Sequence, residues 1–148
     1  MSTKRILIVY YSQGGHTEEA AQCVVDGVCA VDGVDPLVKR AHEATPADLL
    51  GADGVCFGSP DYFGYMAGML KDFFDRVFYP TRGEIDGKPC GLFVTHGGGG
   101  KAADSLESMC QMLNLSQVGK TVLVKDAPGQ GGRQGLRDLG KAVAKAVR

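Results

Sequence analysis

Six residues near the N-terminus, Ser12-Gln13-Gly14-Gly15-His16-Thr17, have the composition of a loop that holds an anion. Two glycines let backbone N–H groups turn inward without a Cβ penalty, and Ser12 and Thr17 add hydroxyl donors. An apolar run precedes the loop, and Glu18 and Glu19 open a helical stretch after it, so a helix N-terminus contributes its dipole. A terminal phosphomonoester suits such a cup. No Lys-Ser or Lys-Thr follows these glycines, and they do not meet the G-x-G-x-x-G spacing. Neither triphosphate hydrolysis nor Rossmann dinucleotide binding is supported. Taken alone, the motif also reads as a glycine turn with Thr17 capping the helix.

Two further loops carry chemistry. Gly58-Ser59-Pro60-Asp61-Tyr62-Phe63-Gly64-Tyr65 crowds three aromatic rings into one short segment. Rings in a loop either stack on a flat heteroaromatic ligand or cover the next helix. Thr95-His96-Gly97-Gly98-Gly99-Gly100 lets backbone approach a planar ligand closely and offer N–H donors to its carbonyls. His96 either donates to such a carbonyl or faces solvent. No residue stands out as an obligatory acid, base or nucleophile. The five cysteines (Cys23, Cys29, Cys56, Cys90, Cys110) are widely spaced without a C-x-x-C, so free thiols are expected, with neither disulfides nor a metal site.

The elements that position these loops follow from periodicity. Apolar runs at Ile6–Tyr11, Gly54–Gly58, Gly91–Thr95 and Thr121–Lys125, with a weaker one at Pro36–Lys39, predict strands. Their near-continuous apolar character suits a parallel sheet covered on both faces. Helical spacing appears at Ala20, Ala21, Val24, Val25 and Val28. It recurs from Met66 through Met69, Leu70, Phe73, Phe74 and Val77 to Phe78, then over Lys101–Leu113, and again at Leu136, Leu139, Val143 and Val147. The Gly129–Gly135 patch reads as a flexible turn before the last helix. Alternation of strand and helix with right-handed crossovers predicts a three-layer αβα sandwich, its five-stranded parallel sheet ordered 2-1-3-4-5. Ligands of such sheets bind beyond the strand carboxyl ends where the order reverses, which is where all three loops fall.

In this order and at these strand ends the loops resemble those of the flavodoxin-like FMN proteins, which include flavodoxins and NAD(P)H:quinone oxidoreductases. The stretch Gly83-Glu84-Ile85-Asp86-Gly87-Lys88-Pro89 before Gly91-Leu92-Phe93-Val94-Thr95 is similar to the G-K-P segment of the oxidoreductases. The resemblance implies that FMN binds with its phosphate on Ser12, Gln13, Gly14, Gly15, His16 and Thr17. Ser59, Pro60, Asp61, Tyr62, Phe63 and Gly64 would lie beside the isoalloxazine, and Thr95, His96, Gly97 and Gly98 along its pyrimidine edge. His16 departs from the Asn or Thr common in the family, and Asp61 from the usual Thr.

A phosphorelay receiver of similar topology needs clustered acids after the first strand, where Tyr11-Ser12 stand. A phosphatase needs a cysteine that the first loop lacks. The favoured reading is an NAD(P)H-dependent reductase of a quinone or similar acceptor. The alternatives are a flavodoxin-type electron carrier and a non-catalytic FMN module. The expected partners are NAD(P)H or a redox partner protein, a small-molecule electron acceptor, and another copy of the chain should it form a homo-oligomer. The 148 residues fit one domain, 1–148. The net charge of -1 lacks the basic footprint of nucleic-acid binding and the strong acidity of many electron carriers. No membrane-length apolar run is present, so a cytoplasmic location is expected.

Overall fold

A computed structural model describes residues 3–148. Strands β1 (Lys4–Tyr10), β2 (Val34–Arg40), β3 (Gly54–Pro60) and β4 (Pro89–His96) alternate with helices α1 (His16–Cys29), α2 (Pro46–Gly51), α3 (Gly68–Thr81) and α4 (Ala102–Met112). Two short strands, β5 (Ser116–Gln117) and β6 (Val122–Lys125), precede α5 (Gln130–Val147). All pairings between these strands are parallel and the order is β2-β1-β3-β4-β5, as the alternation predicts. The last position differs in detail. Both β5 and β6 pair with β4, β5 at Pro89–Cys90 and β6 at Phe93–His96, so the edge is made of two pieces. The single strand expected at Thr121–Lys125 is the second of them.

The period of two along each strand divides the core. Leu7, Val9, Val55, Phe57, Leu92 and Val94 face one side and pack with Leu70, Phe73 and Phe74 of α3 and Leu106 of α4. Ile6, Ile8, Cys56 and Phe93 face the other and pack with Val24 and Val28 of α1 and Leu136, Leu139 and Val143 of α5. Strands covered on both faces must be apolar at every position, which is why β1, β3 and β4 read as unbroken runs. Pro36 sits in β2, an edge strand where its missing N–H leaves no central ladder bond unmade.

The expected α3 stripe needs correction at its start: Met66 is buried but precedes the helix, and Met69 is 39% exposed. The patch Gly129–Gly135 is also not a flexible turn, because α5 begins at Gln130 and takes Gly131, Gly132 and Gly135 into its first turns. Glycine matters more further along. A Cβ at Gly140 of α5 would collide with the Val24 carbonyl of α1, and one at Gly27 with the Arg137 carbonyl. The two helices therefore cross with their backbones in contact, at positions where only glycine fits.

Helix α2 was absent from the sequence expectations. It opens with a reciprocal cap, Asp48 N donating to Thr45 Oγ1 at 3.2 Å and Thr45 N to Asp48 Oδ2 at 2.9 Å. Lys88 Nζ closes its other end, donating to the carbonyls of Leu49 (3.2 Å), Leu50 (3.0 Å) and Ala52 (2.6 Å). Burial lowers the Lys88 ammonium from its usual range, against the pull of Asp53.

Candidate functional site

Strand β1 hands the chain to α1 through the first loop. Gly15 caps the helix at φ 101°, a left-handed conformation suited to glycine, and its N–H donates to Ser12 Oγ at 3.0 Å. Thr17 is inside the helix and buried, so it is not the cap. Its hydroxyl meets that of Thr95 at 2.7 Å, tying the first loop to the end of β4. The opening turn leaves amides without intrahelical partners, as a site for an anion requires. Glu18 and Glu19 would repel an anion there, but both are paired. Arg40 of β2 reaches Glu18 at 2.8 Å and also donates to the Ser12 carbonyl at 3.4 Å; Arg133 of α5 reaches Glu19 at 3.3 Å. Arg40 brings a cation to this loop from a strand edge, a role the sequence did not signal.

The second loop is fixed at its base and strained at its tip. Buried Ser59 donates to the Pro60 carbonyl at 2.7 Å and accepts from Ala67 N at 2.9 Å, while Met66 N donates to Ser105 Oγ of α4 at 3.0 Å. At the tip Tyr62 and Tyr65 exchange backbone bonds of 3.0 and 3.1 Å around Phe63 (φ 58°) and Gly64 (φ 78°). Tyr62 turns inward, edge-on to Tyr11 with centroids 6.3 Å apart, and donates its hydroxyl to Gln13 Oε1 at 3.1 Å. Burial, and secondarily Tyr11, raises its phenol above the usual value. The Phe63 ring lies in solvent.

The third loop completes a cleft of about 430 Å³ beyond the strand ends. Its walls are Ser12, Gln13, Gly14, His16 and Thr17 from the first loop and Pro60, Asp61 and Tyr62 from the second. Thr95, His96 and Gly97 come from the third. Asp126, after β6, is an addition the sequence reading missed. It has φ 58° and its N–H donates to the His96 carbonyl at 2.8 Å; the split edge strand hid the end of this fourth loop. Gly15, Ser59, Phe63, Gly64 and Gly98 are near these loops but do not line the cleft. Two buried atoms here have no hydrogen-bond partner, Asp61 Oδ1 and His96 Nδ1. Buried polar atoms are usually satisfied, so these two are free to bond a further group. Among the described residues no cluster of three potential metal ligands occurs, and no helix is long and apolar enough to cross a membrane.

Residues 16–129 match the family described as NADPH-dependent FMN reductase. A flavodoxin of Aquifex aeolicus is 34% identical over 113 residues, which is 75% of this chain and 61% of the relative. The chain thus spans about three fifths of that protein's length. An archaeal flavodoxin structure superposes with a TM-score of 0.87 at 20% identity, over 97% of this chain and 98% of its own. A flavodoxin, WrbA-like protein from Agrobacterium tumefaciens gives 0.80 at 21% identity, over 99% and 98%. The fold is the flavodoxin-like one, and the chain belongs to the flavodoxin-like FMN-binding family.

Proposed function

We propose that this chain is an FMN-binding electron carrier of the flavodoxin type, a single domain of the cytoplasm passing electrons between redox proteins. The observation that carries the FMN reading is the cleft between the ends of β1 and β3, where the strand order reverses, with an anion cup at the start of α1. Its volume suits a mononucleotide. The unpaired Asp61 Oδ1 and His96 Nδ1 fit a polar ring edge. Ser12, Gln13, Gly14, Gly15, His16 and Thr17 would hold the phosphate. Pro60, Asp61 and Tyr62 would lie beside the ring, with Thr95, His96 and Gly97 at its pyrimidine edge, while Ser59, Phe63, Gly64 and Gly98 belong to the loops that carry them. When bound, FMN supplies the electron-transfer chemistry. The chain's own part is to bind, orient and tune it, which requires no acid–base residue.

The sequence alone favours the reductase; the carrier takes its place because the Aquifex aeolicus relative and the archaeal structure of matching length are both named flavodoxins. The reductase remains the second reading on two observations: the matched family's description names NADPH, and the net charge of -1 lacks a carrier's strong acidity. The two readings separate on mixing FMN-loaded protein with NADPH or NADH and a quinone. The carrier predicts negligible nucleotide oxidation and two well-separated one-electron steps in a reductive titration. Sustained NADPH oxidation would favour the reductase. A protein showing neither behaviour would be an FMN module without turnover.

A further inference from the structure

We propose that Asp61 and His96 together read the imide edge of a bound flavin ring. The Asp61 carboxylate accepts the ring's N3–H, and His96 Nδ1–H donates to a carbonyl oxygen beside it. The inference rests on the FMN reading above and assigns a specificity role to two side chains, one of which departs from its family's pattern.

Asp61 is held in place by two hydrogen bonds. Its N–H donates to the Thr95 carbonyl at 2.9 Å and its Oδ2 accepts from Gly100 N at 2.8 Å, where the loop passes so close that a Cβ on Gly99 would sit 3.3 Å from that same oxygen. One oxygen is therefore committed to the glycine loop, while Oδ1 is buried and unpaired. His96 lies on the neighbouring strand. Pro60 pairs with Thr95 in the β3–β4 register, so Asp61 and His96 are each the next residue after that pair, on adjacent parallel segments. The His96 backbone is pinned by Asp126 N at 2.8 Å, and its Nδ1 is buried and unpaired.

The chemistry of the two atoms selects the ligand edge. A carboxylate oxygen can only accept, so it calls for an N–H or O–H donor and repels a phosphate or carboxylate. A ring nitrogen carrying its proton donates. A donor–acceptor pair side by side matches an imide, whose one N–H is flanked by carbonyl oxygens. The oxidised isoalloxazine has a single ring N–H, and it belongs to such an imide. The same pairing gives Gly99 and Gly100 a purpose: through Gly100 they hold the carboxylate while leaving its other oxygen for the ligand.

The test compares FMN with 3-methyl-FMN, in which a methyl group replaces the N3–H, on the wild-type chain and on Asp61→Ala. Wild type is expected to bind the methylated flavin about 10- to 100-fold more weakly, the range for a hydrogen bond to a charged group. That gap should close in Asp61→Ala. Asp61→Asn, which keeps one oxygen for Gly100, should also narrow it and guards against a folding defect. For His96, ¹⁵N NMR of the FMN-loaded protein, assigned with His96→Gln, should find the proton on Nδ1. Equal affinities in wild type, or a gap undiminished in the variants, would overturn the Asp61 contact, and a proton on Nε2 alone would overturn that of His96. FMN binding with no effect of methylation removes only this inference; failure to bind FMN removes the reading beneath it.

Discussion

Phe63 has a positive φ in a tight turn, a conformation that costs a bulky residue about 1 kcal/mol or more, and its ring is fully exposed. With both central residues left-handed, the turn is of the kind that favours Asn-Gly. Phe63→Asn is accordingly expected to stabilise the ligand-free protein by about 0.5–1 kcal/mol in urea denaturation. A loss of stability would mean that the ring has packing partners in solution. At this scale residue types were legible: glycines, hydroxyls and aromatics marked all three loops. Orientation was not, since composition cannot tell that Tyr62 turns inward while Phe63 turns out, nor that the Thr17 hydroxyl is shared with a residue 78 positions away. Both depend on a turn and a strand register that form only with the fold.

Long elements announced themselves because burial on one or two faces imposes a period, and the helices α1, α3, α4 and α5 were all legible for that reason. The shorter ones rest on caps and edges. The six residues of α2 are too few for a stripe, although the spacing Thr45-x-x-Asp48 before Leu49 was a readable cap signal. Lys88, singled out only by resemblance, has a structural task in closing this helix. Lys88→Met should cost about 1–3 kcal/mol, measured by denaturant midpoint, because the part-buried carbonyls of Leu49 and Ala52 and the exposed one of Leu50 lose their donor. A neutral result would mean that water replaces it freely. Gly140→Ala should be more damaging. It drives a methyl group into the Val24 carbonyl and forces α1 and α5 apart, an overpacking cost of about 1–3 kcal/mol or more. Thermal unfolding at wild-type temperature would refute the close crossing.

The molecule as a whole also has a response to alkaline pH set by its buried groups. Burial pushes the Cys56 thiol from 9.0 up to about 12 and raises Cys90 as well, with Cys110 beside it at 2.7 Å. A raised folded-state pKa contributes stability that is complete below pH 9.0 and is lost as pH climbs toward the folded value. Lys88 acts in the opposite sense, because its lowered pKa makes its contribution grow as pH approaches 10.5. The thiols are fully buried and should prevail. Stability is expected to fall above pH 9.0, and Cys56→Ala should make that fall shallower by about 1.4 kcal/mol per pH unit, followed by urea midpoints under reducing conditions. An unchanged slope would assign the titration to other groups. The central claim, however, concerns the cleft: that the Ser12–Thr17 loop holds the phosphate of FMN. Fluorescence titration of the ligand-free protein with FMN and with riboflavin, which lacks only the phosphate, tests it most directly. FMN should bind at least about 100-fold more tightly, since several charge-assisted hydrogen bonds depend on that group. Equal affinity for the two flavins would contradict the account.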